Sequence, residues 1–216
     1  MIAQTEFLPE STAKTFELLS NESFISKFSL VGGTALCLQL GHRQSEDLDF
    51  IFDGENIPTT IIKRNIARLF PTYRLIREEK DYQLDYVVNN VKLTFFSTGA
   101  ILLPFSVMDF SFPFKKLRIA SPEIVSVLKI SAIAQRSTMR DYYDLYYLAK
   151  NVLPLSEIFK KSKQLLPNIS AITYTETIIY TADILEDSIE NHLHPKEIIT
   201  KNKIAEYFIS EINKLK

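Results

Sequence analysis

Residues 31–50, VGGTALCLQLGHRQSEDLDF, decide how the chain reads. The apolar run FSLV at 28–31 stops at Gly32-Gly33-Thr34, and a short helical segment is expected over 34–41 with Gly41 as its stop. Twelve residues separate Thr34 from Asp47, which leads into Leu48, Asp49 and a strand expected over 47–53. Alternate side chains of a strand share a face, so Asp47 and Asp49 project together while Leu48 and Phe50 turn toward a core. Glycine lets the backbone approach a ligand closely, and amides at the start of a helix point at anions. The order strand, turn, helix, strand thus joins a phosphate-sized concavity to two carboxylates. Such hard oxygen ligands suit Mg2+, and metal ions there can clamp the attacking and leaving oxygens of an in-line phosphoryl displacement. The Thr34 hydroxyl is expected to cap the helix or donate to a phosphate. Arg43 and Ser45 lie between turn and carboxylates and are expected to orient either.

Outward from this stretch, helices are expected over 9–20 and 59–69, the latter with Ile61, Ile62, Ile66 and Leu69 as its apolar positions. Three β-rich runs follow, 73–77, 82–88 and 91–97, the last two joined by Asn89-Asn90 as a tight hairpin. A short run at 116–119 closes the sheet, and 104–113 reads as a connection. From Ser121-Pro122-Glu123, a capped start with Pro at the first helical position, the character is helical, over 122–136, 138–150, 155–166, 170–188 and 196–215. The fold class expected is α+β: a small mixed sheet with flanking helices over 1–120, then a helical bundle over 121–216.

A second constellation lies in KISAIAQRSTMRDYYDLYYL, residues 129–148. Lys129 sits in a helix otherwise made of Ile124, Val125, Val127, Leu128 and Ile130. A lysine there costs desolvation unless it reaches solvent or an anion, and a phosphate would satisfy it. Asp141 and Asp144 share a face near the start of the next helix, with Arg140 beside them; a helix N-terminus favours acids by itself. The tyrosines at 142, 143, 146 and 147 suit packing, with base stacking as the other use. His42 reads as a loop residue, and His192 and His194 do not form a compelling metal motif.

The 216 residues are 46% hydrophobic and 24% charged, as in a soluble globular protein, and long enough for one large domain or two small ones. The net charge of -1 lacks the footprint of a nucleic-acid binder. Charge is nevertheless segregated. Acids outnumber Lys14, Lys27 and Arg43 in the first sixty residues, while Lys115, Lys116, Arg118, Lys129, Arg136 and Arg140 face Glu123 alone over 114–140. The single Cys37 suits packing in a reducing, cytoplasmic compartment. No signal peptide is expected from MIAQTEFLPE, and the longest apolar run is far short of about 20 residues, so no membrane partner is expected.

Taken together, GGTAL, GHRQSEDLDF and K…R…RDYYDLYYL resemble the AbiEii/AbiGii toxin family of nucleotidyltransferases, within the DNA polymerase β-like superfamily. The resemblance implies a core in which Gly32, Gly33 and Thr34 bind nucleotide phosphates and Asp47 and Asp49 hold Mg2+. It implies that Lys129 contacts the triphosphate, that Asp144 completes the site, and that Arg140 and Asp141 are the Arg-Asp preceding that acid. It implies a Mg2+-dependent transfer of a nucleoside monophosphate from an NTP to an acceptor hydroxyl. RNA at the tRNA 3′ end is the expected acceptor, and a cognate antitoxin the expected partner in a toxin–antitoxin or phage-defence system. One position departs from the pattern. Thr94 stands where the superfamily usually carries a third acid on a neighbouring strand, with Asp85 as its possible substitute. Two further readings therefore stay open: the same transfer to a protein hydroxyl such as Tyr, and a catalytically weak nucleotide- or partner-binding protein.

Overall fold

A computed structural model describes residues 4–215. The chain forms two compact units: a sheet unit of residues up to Leu40 with Gln44–Ser121, and a helical unit of Gly41–Arg43 with the residues from Pro122 onward.

In the sheet unit, α1 (Glu10–Ser20) buries Phe16 and Leu19. Strand β1 (Phe28–Val31) runs straight into α2 (Gly32–Leu40), and β2 (Leu48–Phe52) precedes α3 (Thr59–Leu69). Then come β3 (Tyr73–Glu79), β4 (Gln83–Val88), β5 (Val91–Ser97), β6 (Ser111–Phe114) and β7 (Leu117–Ala120). The seven strands form one mixed sheet in the order β3-β4-β5-β2-β1-β7-β6. β2 pairs with β5, and β1 with β7, in parallel; the other pairs are antiparallel.

Register explains which side chains form the core. Leu30, Phe50, Phe95 and Leu84 are successive cross-strand partners, and all four are fully buried. Phe50 stacks on Phe95 at 5.1 Å, and Phe28 meets Phe95 edge-on at 5.5 Å. Each such side chain contributes about 1.5–3 kcal/mol by leaving water. One residue along, the row Val31, Asp49, Thr94, Asp85 points to the opposite face. The Asn89-Asn90 hairpin has φ +50° and +62° at its two residues, as a two-residue loop of matching twist requires. At the sheet edge every residue of β3 is exposed, and its register with β4 shifts between Leu75 and Arg77.

The helical unit contains α4 (Pro122–Ile133), α5 (Met139–Asn151), α6 (Leu155–Leu165), α7 (Ala171–Thr175) and α8 (Lys201–Asn213). Helix α4 packs on α5 and α6, and α5 on α8. No helix among the described residues is long and apolar enough to cross a membrane.

Three expectations need correction. The stretch 104–113 is more than a connection, because β6 occupies Ser111–Phe114; Pro113 is tolerated there since β6 is an edge strand. The helix expected over 170–188 stops at Thr175, and only a 3-10 turn at Thr177–Ile179 follows. Its β-branched run weakens the helix, and the Tyr142 hydroxyl lies 2.8 Å and 2.9 Å from the carbonyl oxygens of Thr177 and Tyr180. The last helix begins at Lys201 rather than 196, where the Thr200 hydroxyl accepts the Lys203 amide.

Candidate active site

In the sheet unit the glycine turn meets Asp49 directly. Val31 is the register partner of Asp49, so the turn after β1 falls beside that carboxylate. Gly32 has φ +71°, and a β-carbon on it would lie 3.1 Å from Asp49 Oδ2. The left-handed backbone favours glycine here, and the Asp49 carboxylate leaves little room for a side chain. Gly33 and Thr34 form the first turn of α2, whose amides carry the helix-start preference for anions. Gly41, with φ +54°, ends that helix.

Asp47 and Asp49 are both half-buried, and Leu48 between them is fully buried, the alternation expected of a shared face. Asp47 itself lies outside β2: the ladder with β5 begins at Leu48 and Leu93. Three buried hydroxyls act on this lead-in instead. Thr34 donates to the backbone carbonyl of Asp47, and its oxygen lies 2.8 Å from the Ser45 hydroxyl. Thr12, on α1, donates to the carbonyl of Glu46 at 2.9 Å. Thr34 and Ser45 thus face inward onto the backbone that carries Asp47.

The donor set fits Mg2+. Asp47 and Asp49 stand two residues apart and are both half-buried, and the missing side chain of Gly32 leaves room at Asp49 Oδ2. Among the described residues no group of three or more His, Cys, Asp or Glu is arranged to hold a metal. A two-carboxylate site is the kind Mg2+ completes with water and substrate phosphates. Thr94 is the register partner of Asp49, and Asp85 is the partner of Thr94, two strand spacings or about 10 Å from Asp49. Asp85 accepts from Gln83 Nε2 at 2.8 Å and has Lys92 Nζ at 3.8 Å.

In the helical unit a second group is fully enclosed. Lys129 Nζ lies 2.7 Å from Asp141 Oδ1 and 2.6 Å from Asp144 Oδ2. Arg43 grips Asp144 through two bonds, Nε to Oδ1 at 2.7 Å and Nη2 to Oδ2 at 2.9 Å. His42 Nε2 is 2.8 Å from Asp144 Oδ1. Asp141 also accepts from Arg136 Nε at 2.8 Å and from the Thr138 hydroxyl at 2.6 Å. Two buried cations thus balance two buried carboxylates. Burial alone would raise the acids, yet the cations prevail. Arg43 and Lys129 hold Asp144 well below the usual carboxylate range, and Lys129 and Arg136 bring Asp141 down to about 2. Burial works against a charged Lys129, but Asp141 and Asp144 raise it above its ordinary value. Burial lowers His42, helped by Arg43 and Lys129 against the pull of Asp144, so the ring is neutral and donates from Nε2.

The proposed site residues therefore gather in two sets. Gly32, Gly33, Thr34, Ser45, Asp47 and Asp49 belong to the sheet unit. Arg43, Lys129, Asp141 and Asp144 belong to the helical one. Arg140 Nη2 lies 3.1 Å from Glu190 Oε1. Sequence reasoning missed His42, Arg136, Thr138 and Thr12. The pairing of His42 with Asp144 spans 102 positions, and no local pattern announces it. The Thr138-x-x-Asp141 spacing at a helix start was a visible signal.

The chain is similar to several known proteins. An uncharacterized protein of Aquifex aeolicus is 30% identical over 207 residues, 93% of this chain and 97% of its own length. The solved structure of MenT4, a nucleotidyltransferase toxin of Mycobacterium tuberculosis, matches with TM-score 0.55 at 12% identity, over 96% of this chain and 87% of that one. That likeness concerns the fold. JHP933 from Helicobacter pylori matches at TM-score 0.49 and 18% identity, over 96% of each chain. The model of the AbiEii family, described as nucleotidyl transferase toxins of type IV toxin–antitoxin systems, matches residues 16–195. With the turn, the paired aspartates and this match, the chain belongs to the AbiEii family and is a nucleotidyltransferase.

Proposed function

We propose that the protein moves a nucleoside monophosphate from an NTP to an RNA hydroxyl, with the tRNA 3′ end as acceptor, and that it does so as the toxin of a toxin–antitoxin pair. The observation that supports this reading is the abutment of Gly32 on Asp49, which sets a glycine turn directly beside a carboxylate. The amides of Gly33 and Thr34 would receive the phosphates. Asp47 and Asp49 would hold Mg2+, which when bound neutralises charge developing on the phosphoryl oxygens. Within the helical unit, Asp144 fixes Lys129 and Arg43.

The test is incubation of pure protein with Mg2+, each labelled NTP in turn and total tRNA, followed by a denaturing gel. A labelled RNA band that disappears with Asp47→Asn is expected. Label appearing in a protein band instead would replace RNA by a protein hydroxyl. NTP binding with no labelled product would leave a binding protein.

A further inference from the structure

We infer that Thr34, Ser45 and Thr12 form a clamp that sets the metal affinity of Asp47 by fixing its backbone, and that the Thr34 hydroxyl is a positioning group rather than a phosphate ligand. The inference rests on the metal reading above and deepens it.

The clamp lies where β2 begins. Asp47 precedes β2, whose ladders start at Leu48 on the β5 side and Asp49 on the β1 side. A carboxylate that must meet a metal within tenths of an ångström is thus attached to backbone outside the sheet. The carbonyls of Glu46 and Asp47 are each taken by a buried threonine hydroxyl, from α1 and from α2. Thr12 and Thr34 are 1% and 2% exposed, so neither hydroxyl faces solvent or a ligand in solution. A hydroxyl has one proton. Thr34 gives its own to Asp47, so Ser45 supplies the proton of the bond between the two hydroxyls. The same three-residue turn therefore acts twice. Gly32 makes room at Asp49, and Thr34 anchors Asp47.

The test measures Mn2+ binding to the full-length protein without nucleotide, by electron paramagnetic resonance. Thr34→Val removes the proton donor at nearly constant shape, and Thr34→Ser keeps it. Thr34→Val is expected to bind Mn2+ about fivefold more weakly, the equilibrium equivalent of one neutral hydrogen bond, while Thr34→Ser binds like the wild type. Thr12→Val acts on the neighbouring carbonyl, is expected to shift affinity in the same direction, and serves if Thr34→Val does not fold. Wild-type Mn2+ affinity in both valine variants, with a lowered melting temperature, would reduce the hydroxyls to stability and overturn the clamp alone. Weaker binding of NTP in EDTA with unchanged Mn2+ affinity would make Thr34 a phosphate ligand and also overturn it. Wild-type Mn2+ binding by Asp47→Asn would remove the metal reading and the clamp together.

Discussion

Asp144→Asn is the most informative perturbation of the helical unit. Asp144 is fully buried and takes two bonds from Arg43, one from His42 and the ion pair with Lys129. The amide has nearly the same shape but no charge. Arg43 and Lys129 then share the field of Asp141 alone, which Arg136 already engages. Leaving one buried cation uncompensated costs about 3–5 kcal/mol. At 2–4 °C per kcal/mol for a chain of this size, the melting temperature falls by roughly 6–20 °C. The pH dependence identifies the cause. In the wild type Lys129 is raised, so its contribution is complete below about pH 10.4 and is lost only above that. In the variant, burial with one carboxylate fewer lowers Lys129. The lost stability then returns as pH rises toward 10, because the lysine can shed its proton. Adding Lys129→Met to Asp144→Asn should recover part of the loss, a coupling of about 1–3 kcal/mol. Circular dichroism melts of the wild type, Asp144→Asn, Lys129→Met and the double variant between pH 7 and 10 supply the numbers. A fall under about 3 °C, in line with ordinary surface changes, or strictly additive effects, would refute the account of a closed charge cluster.

Asp49→Asn should abolish nucleotidyl transfer in the tRNA assay with an unchanged circular dichroism spectrum; full activity would remove Asp49 from the metal site. Gly32→Ala should lose activity and about 1–2 kcal/mol of stability in urea titration, since its φ is left-handed and the new methyl meets Asp49 Oδ2. Acid melts should show two components. His42 is lowered by burial, so stability declines as pH falls below about 6.5, and His42→Gln should flatten that limb. Asp141, at about 2, contributes stability present above its unfolded value near 3.9 and lost toward pH 2, about 2 kcal/mol that Asp141→Asn removes. Thr94→Asp places a carboxylate on the register partner of Asp49, and stronger Mn2+ binding is expected in electron paramagnetic resonance; unchanged binding would separate that position from the metal.

What the sequence disclosed is what local chemistry determines. The Asn89-Asn90 pair announces its hairpin because few residues accept two positive φ angles in succession. The alternation of Leu48 and Phe50 with Asp47 and Asp49 separates core from site within four residues. Pro122 marks the start of α4 because a first-turn position needs no amide. Partner choice was hidden. Lys129 was legible as a charge needing an anion, but a phosphate and two carboxylates satisfy that need equally on paper. The carboxylates lie one helix on, at positions whose acids a helix start would favour anyway. Nothing local marks Gly41–Arg43 as part of the helical unit, since only contacts across about a hundred positions put them there. Helix α7 ends early for a similar reason, the Tyr142 hydroxyl lying within reach of the carbonyls of Thr177 and Tyr180 that follow it.

The outermost ribbon, Tyr73–Glu79, is bound to the sheet by one ladder and to α3 by the Lys63–Glu78 pair, with no residue of its own sunk in the core. Its amides should therefore exchange with deuterium through local fraying, long before the buried row of Phe50 and Phe95 opens. The irregular step after Leu75 bends this margin and keeps it from templating the same margin of another copy. A limited protease should accordingly cut first around Lys80, leaving β1, β2 and β5 whole.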